Sequence, residues 1–168
     1  MGRQIALNLV VGLVGSLLLQ ASAVADFPVA DEVVIEKSKR KLHLVKDGEP
    51  FRSFDIALGI VPEGDKEKEG DFRTPEGRYL LDSRNPNSDF FLSIHVSYPD
   101  ADDIRAARAK GVDPGGAIMI HGLPNTPTRS EVYYRTQDWT NGCIAVSNSD
   151  MIDIWLMTDE NTPIEIRP

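Results

Sequence analysis

The sequence predicts a single, mainly β domain with short helices. Three observations carry this prediction: β-branched and aromatic residues alternate with polar ones from Glu32 onward, turn signals interrupt the chain at short intervals, and only two stretches carry helix caps. The first run is Val33-Val34-Ile35-Glu36, followed by Lys41-Leu42-His43-Leu44-Val45 and then Phe51 to Leu58. Asp47-Gly48 joins the second run to the third and is a hairpin signal, since both residue types tolerate positive φ. These three runs read as an antiparallel meander. Gly64 to Gly70 is dense in charge and reads as a solvated turn.

Thr74-Pro75-Glu76-Gly77 turns the chain into another strand through Tyr79, and Phe90 to Val96 is a further strand containing His95. Asp100-Ala101-Asp102-Asp103 begins a helix with its acids in the first turn, and Lys110-Gly111 ends it. After Pro114-Gly115-Gly116, the short apolar run Ala117 to His121 reads as a central strand. Ser147-Asn148-Ser149-Asp150 has a capping-box pattern and starts a second helix to about Met157. Thr162 to Ile166 reads as a closing strand. No repeat, low-complexity tract or interdomain linker is visible in the sequence.

Residues 1–25 read as a secretory signal peptide. Arg3 supplies a positive start, Ile5 to Leu19 is mostly apolar, and Ala21-Ser22-Ala23 and Ala23-Val24-Ala25 offer small-residue cleavage sites. The expectation is cleavage after Ala25 and export to the periplasm, with an uncleaved anchor as the alternative. The catalytic or binding domain is then 26–168. Its 17 basic and 26 acidic residues argue against nucleic acid or anionic lipid as a partner, since both need clustered Lys and Arg.

Cys143 is the one cysteine in the chain and lies in Thr140-Asn141-Gly142-Cys143-Ile144-Ala145-Val146, 22 positions after His121. A thiol with an ordinary pKa of about 8.5 is mostly protonated at neutral pH and needs a neighbouring base to become a nucleophile. His121 is the candidate base. Gly122 and Gly142 let backbone approach a substrate, and the Gly142 and Cys143 N–H groups are the candidate oxyanion donors. A lone cysteine in an apolar run also fits an inert core residue. The three histidines and the cysteine lack the short paired spacing of a metal site, so no metal or other cofactor is expected.

Taken together, His121-Gly122, then Thr140, Gly142, Cys143, Ile144 and Asn148 resemble the L,D-transpeptidase catalytic domain family of bacterial cell-wall enzymes. The resemblance covers most of the chain after residue 26, including the opening meander and the Thr74-Pro75-Glu76-Gly77 strand entry. It implies a β-sandwich in which cysteine and histidine face each other across a cleft. It further implies that Cys143 is the nucleophile, that His121 is base and acid, and that a backbone carbonyl or Gly122 orients the second ring nitrogen. Thr140, Asn141, Gly142 and Gly122 would position the reacting groups. The implied substrate is a peptidoglycan stem peptide, cut after its third residue, a diamino acid. The acceptor would be a stem amine, a lipoprotein lysine, a D-amino acid or water. His95, Arg129, Tyr134 and Trp139 are the candidate substrate contacts. Trp155, on the final helix, reads as core.

Two residues depart from the family pattern: Asn141 stands where His is usual and Ala145 where Arg is usual. The gap of eighteen residues between His121 and Thr140 is also slightly long. Asn141 donates hydrogen bonds but does not titrate, and Ala145 removes a cation. These changes bear on substrate and acceptor, and they leave a hydrolase of the same family or a non-catalytic wall-binding module as alternatives. A sortase-like enzyme would need an arginine soon after the cysteine, and a papain-like enzyme would reverse the order of cysteine and histidine.

Overall fold

The computed structural model describes residues 27–168, so the proposed signal segment 1–25 lies outside the described residues. Among the described residues, eight strands and three α-helices follow one another. The order is β1 (Glu32–Glu36), β2 (Lys41–Lys46), β3 (Glu49–Asp55), β4 (Gly77–Ser88), β5 (Phe91–Val96), α1 (Ala101–Lys110), β6 (Met119–His121), α2 (Glu131–Thr136), β7 (Ile144–Ala145), α3 (Asn148–Met157) and β8 (Thr162–Arg167). The strands form one sheet in the order β3-β2-β1-β8-β4-β5-β6-β7, with β1–β8 and β6–β7 parallel and the other pairs antiparallel.

The opening meander forms as its residues dictate. Asp47 and Gly48 both adopt positive φ (52° and 82°), the pair of left-handed residues that a two-residue hairpin turn requires. Across three strands the register stacks one apolar layer. Val33 faces Leu44 and Ile164, while Ile35 faces Leu42 and Ile166, all of them buried. A one-residue slip would turn this whole layer to solvent, so the layer itself fixes the register. The last strand, β8, is inserted between β1 and β4 and is the middle of the sheet rather than its close.

The sheet also meets itself. Beyond β3, Ala57 exchanges two backbone hydrogen bonds with Ala145 (2.9 and 2.8 Å), Thr140 N–H donates to Leu58 (3.1 Å), and Ile60 N–H donates to Thr140 (3.0 Å). These bonds tie the two ends of the strand order together and wrap the sheet around its core. Strand β6 therefore lies one place from the end of the order, not at its centre. Ile120 and Ile144 are nonetheless fully buried because the far end of the sheet covers them.

Helix α1 begins at Asp100 with a full capping box to Asp103 and ends at Gly111 (φ 69°). At α3, Ser147 accepts from the Asp150 N–H at 3.1 Å, and Met151, Ile154 and Met157 bury one face. Helix α2 was not foreseen. It is a single short segment capped by Ser130, inside the stretch linking His121 to Cys143.

The Gly64 to Gly70 loop is not simply a solvated turn. Lys37, 2 % exposed, donates to Gly64 O (2.6 Å), Thr74 O (2.9 Å) and Glu76 (2.8 Å) and so pins both ends of the excursion. Within it, Asp71 accepts from the N–H groups of Glu67 (2.7 Å), Lys68 (3.1 Å) and Arg73 (3.1 Å) and from the buried Lys66 ammonium (2.8 Å). Burial alone would raise the Asp71 pKa. The bonds from Lys66 and the three amides outweigh it and hold the carboxyl down at about 2.

An unfolded aspartate titrates near 3.9, so this folded-state depression contributes stability fully present above about pH 4 and lost as pH falls towards 2. The lost contribution is on the order of 2 kcal/mol. Urea unfolding of Asp71→Asn beside the parent protein should therefore show a stability gap at pH 7 that closes between pH 4 and pH 2. A gap of constant size over that range would show that the carboxylate is not what ties the loop.

Candidate active site

Strands β6 and β7 run parallel with Ile120 opposite Ile144 and His121 opposite Ala145. The two isoleucines are fully buried in the core, His121 ends β6, and Cys143 immediately precedes β7. His121 and Cys143 line one cavity of about 530 Å³.

His121 is 4 % exposed, and its ring is packed against Phe90 (centroids 4.6 Å apart) and edge-on to Trp139 (5.6 Å). Its Nδ1 lies 2.7 Å from the Gly122 carbonyl. A carbonyl only accepts, so Nδ1 carries the proton in this bond and Nε2 keeps its lone pair. Burial lowers the imidazole pKa, and the Gly122 bond opposes this more weakly.

Gly122 itself is dictated by crowding. A Cβ there would come within 2.6 Å of Asn148 Oδ1 and 3.0 Å of Phe91. Asn148 Oδ1 meanwhile accepts from the Leu123 N–H at 2.8 Å, so this first residue of α3 holds the chain that carries the Gly122 carbonyl.

The Cys143 thiol donates to the carbonyl of Ala117 at 3.5 Å, and among the described residues it has no hydrogen bond to the imidazole. Ala117 sits in the left-handed region (φ 55°), an uncommon conformation for alanine, and this aims its carbonyl at the sulfur. Burial pushes the thiol pKa up, while a hydrogen bond from the Met119 amide and the charge of Lys66 pull it down.

Other predicted residues are placed differently. The Gly142 N–H donates to Thr140 Oγ1 (3.1 Å), and that hydroxyl donates to the Cys143 carbonyl (2.7 Å). Thr140 is thus the clamp of the turn. Gly142 is not an available oxyanion donor, because its amide is already used. Asn141 is exposed at the cavity rim. Trp139 lines the cavity, its indole N–H donating to Tyr134 O at 3.1 Å.

Tyr134 is buried, its hydroxyl accepting from the Thr128 N–H at 3.1 Å, and it supports Trp139 from outside the cavity. Arg129 lies over the Tyr133 ring (5.7 Å) and lines a separate cavity with Tyr134. His95 bonds Asp82 through Nδ1 at 2.7 Å and does not line the cavity. A separate cavity of about 930 Å³ lies under α2 and is lined by neither His121 nor Cys143. Among the described residues no three His, Cys, Asp or Glu side chains gather to hold a metal, and no helix is long and apolar enough to cross a membrane.

Lys66 is the cavity residue that sequence reasoning missed. It lines the same cavity as Cys143 and is 6 % exposed, in a stretch whose composition reads as surface. The one sequence signal was its place among alternating charges, with an aspartate five residues on.

Comparison with known proteins bears on the family and the fold. The family model of the L,D-transpeptidase catalytic domain (YkuD) matches residues 30–166. The Escherichia coli K12 protein named "Putative L,D-transpeptidase YafK" is 35 % identical over 96 residues, which is 54 % of this chain and 37 % of that one. The helical cell shape determining protein Pgp2 of Campylobacter jejuni superposes with a TM-score of 0.63 at 27 % identity, covering 81 % of this chain and 46 % of Pgp2. An L,D-transpeptidase from Mycobacterium smegmatis shares the fold (TM-score 0.55, 14 % identity, 82 % of this chain and 58 % of that one). The chain thus spans only about a third to a half of YafK and Pgp2. With the model match running through nearly all of residues 27–168, the chain belongs to the L,D-transpeptidase (YkuD) catalytic domain family.

Proposed function

We propose that the protein is an exported cysteine acyltransferase acting on peptidoglycan stem peptides. The observation that carries this reading is the Nδ1–H bond from His121 to the Gly122 carbonyl, which leaves Nε2 unprotonated inside the cavity that holds the Cys143 thiol. His121 Nε2 takes the thiol proton as the sulfur attacks the carbonyl carbon of the diamino acid. The Cys143 N–H is the remaining backbone donor for the oxyanion, since the Gly142 amide is held by Thr140. As the tetrahedral intermediate collapses, the carbon–nitrogen bond breaks and His121 returns the proton to the leaving amine, giving a thioester.

An incoming amine then gives up its proton to His121 and displaces the sulfur, forming a new amide and restoring the thiol. A stem amine, a lipoprotein lysine or a D-amino acid suits this step. Water in the same role makes the protein a hydrolase. Asn141, exposed at the rim where the family usually has His, favours this second reading because it cannot titrate to assist an amine acceptor. The likeness to Pgp2, a cell shape determining protein, supports a role in cell shape. Export rests on the signal-like residues 1–25.

Incubating the purified protein with tetrapeptide-stem muropeptides and following the acyl-enzyme by mass spectrometry tests the reading. Cys143→Ala should fold normally and form no adduct. His121→Gln should acylate slower by roughly 10²-fold or more, the usual scale for a lost general base. Adduct formation by Cys143→Ala would rule out the nucleophile. Crosslinked or exchanged products identify transfer to an amine, and shortened stems alone identify hydrolysis.

Burial favours the neutral imidazole and the neutral thiol. The imidazole becomes a base once it loses its proton, and its lowered pKa moves that event below the ordinary value of about 6.5. The acid limb of acylation rate against pH should therefore centre below 6.5. A single limb near the thiol's own ionisation, at about 8.5 or higher, would mean that His121 does not take the proton.

A further inference from the structure

Among the described residues, Lys66 is the one cation lining the cavity of Cys143, and Glu69, three residues on, is the one carboxylate there. The Lys66 ammonium donates to Asp71 (2.8 Å) and to the Lys68 carbonyl (3.0 Å). An ammonium has three donors, so two are satisfied within the loop and one remains among the described residues. Keeping such a group nearly dry costs several kcal/mol before its partners compensate. Fastening the loop does not require this cation. Lys37 pins its two ends, and three backbone amides converge on Asp71 without Lys66. What Lys66 adds is a positive charge in the lining of the thiol's cavity, and that charge favours the thiolate.

We propose that Lys66 reads the side-chain carboxylate of a dicarboxylic diamino acid at the stem position whose acyl group Cys143 accepts. The proposal rests on the acyl-transfer reading above and names the group that sets its substrate. A diaminopimelate side chain ends in one carboxylate and one ammonium. The cavity offers a fixed lysine held by Asp71 for the first, and the exposed Glu69 at its wall for the second. Among the described residues the rest of the lining is apolar or uncharged, so a carboxylate entering it has a single cation to meet.

The test compares two stem tetrapeptides, one with the diaminopimelate side-chain carboxylate free and one with it amidated. Acylation kcat/KM is measured for the parent protein, Lys66→Met, Lys66→Arg and Lys66→Gln. Lys66→Gln removes the charge but keeps an N–H donor for Asp71, and serves if Lys66→Met unfolds the loop. The parent should prefer the free carboxylate by roughly tenfold or more, the scale of a hydrogen bond to a charged group. Lys66→Met and Lys66→Gln should bring the two peptides towards parity, mainly by raising KM for the free form, while Lys66→Arg keeps the preference.

Variants that slow both peptides alike, with the parent ratio intact, would overturn the proposal and leave Lys66 acting on the thiol or the loop. Equal rates for both peptides in the parent would overturn it as well. No acyl-enzyme with either peptide in the parent would sink the acyl-transfer reading, and the proposal with it.

Discussion

Three stretches of backbone pass within contact of one another at Cys143, and the site depends on how closely they do so. Residues 57–60 bond to 140–145, and residues 72–73 press against both. A Cβ on Gly59 would stand 2.1 Å from the Phe72 carbonyl oxygen and 3.2 Å from the Gly142 Cα, and one on Gly142 would stand 2.7 Å from the Arg73 carbonyl. Gly142 also holds φ at 129°, which a larger residue adopts only under strain. The glycine before the nucleophile is therefore a steric requirement first. Its amide is turned inward to Thr140, and the turn that results presents the thiol to the cavity.

The same burial that makes the approach possible sets the chemistry. A dry site penalises charge, so both the imidazole and the thiol are pushed towards their neutral forms. A neutral pair needs only one proton to move for attack, provided that the imidazole is the correct tautomer. The Gly122 carbonyl supplies that condition, and Asn148 holds the chain that carries it. Phe90 and Trp139 keep the ring dry and in place, and Tyr134 secures Trp139 from behind. The order of dependence runs from α3 to Gly122 to the imidazole, and only then to the sulfur.

How much of this was legible in the sequence follows from the range of each interaction. The hairpin at Asp47-Gly48, the caps at Asp100 and Ser147 and the alternation of β1 and β2 are local, and the chain spells them out. The placing of β8 in mid-sheet is not local, because it depends on which edge β1 leaves open. His95 looked available until Asp82 met it across the bulged pairing of β4 with β5. Arg129 and Tyr134 share a segment with Trp139, but the short helix α2 turns them to another flank. Lys66 carries no local sign of its burial. Its burial exists only because Asp71 gathers three amides around it and because the Glu69 N–H bonds the Asp113 carbonyl (2.8 Å).

The departure at Ala145 has a geometric consequence. Ala145 is paired on one side with His121 and on the other with Ala57, and its side chain lines the large cavity under α2 beside Arg40 and Asp138, not the cavity of the thiol. Arg40 and Asp138 already form a two-pronged ion pair there, with Asp138 also accepting the Leu58 N–H at 2.8 Å. An arginine at 145 would have to compete for that carboxylate at the point where the sheet closes on itself. Its replacement by alanine leaves the closure undisturbed and changes the charge on the α2 flank. The cation in the thiol's own cavity is Lys66, on the loop whose residues Phe72 and Arg73 press against Gly59 and Gly142.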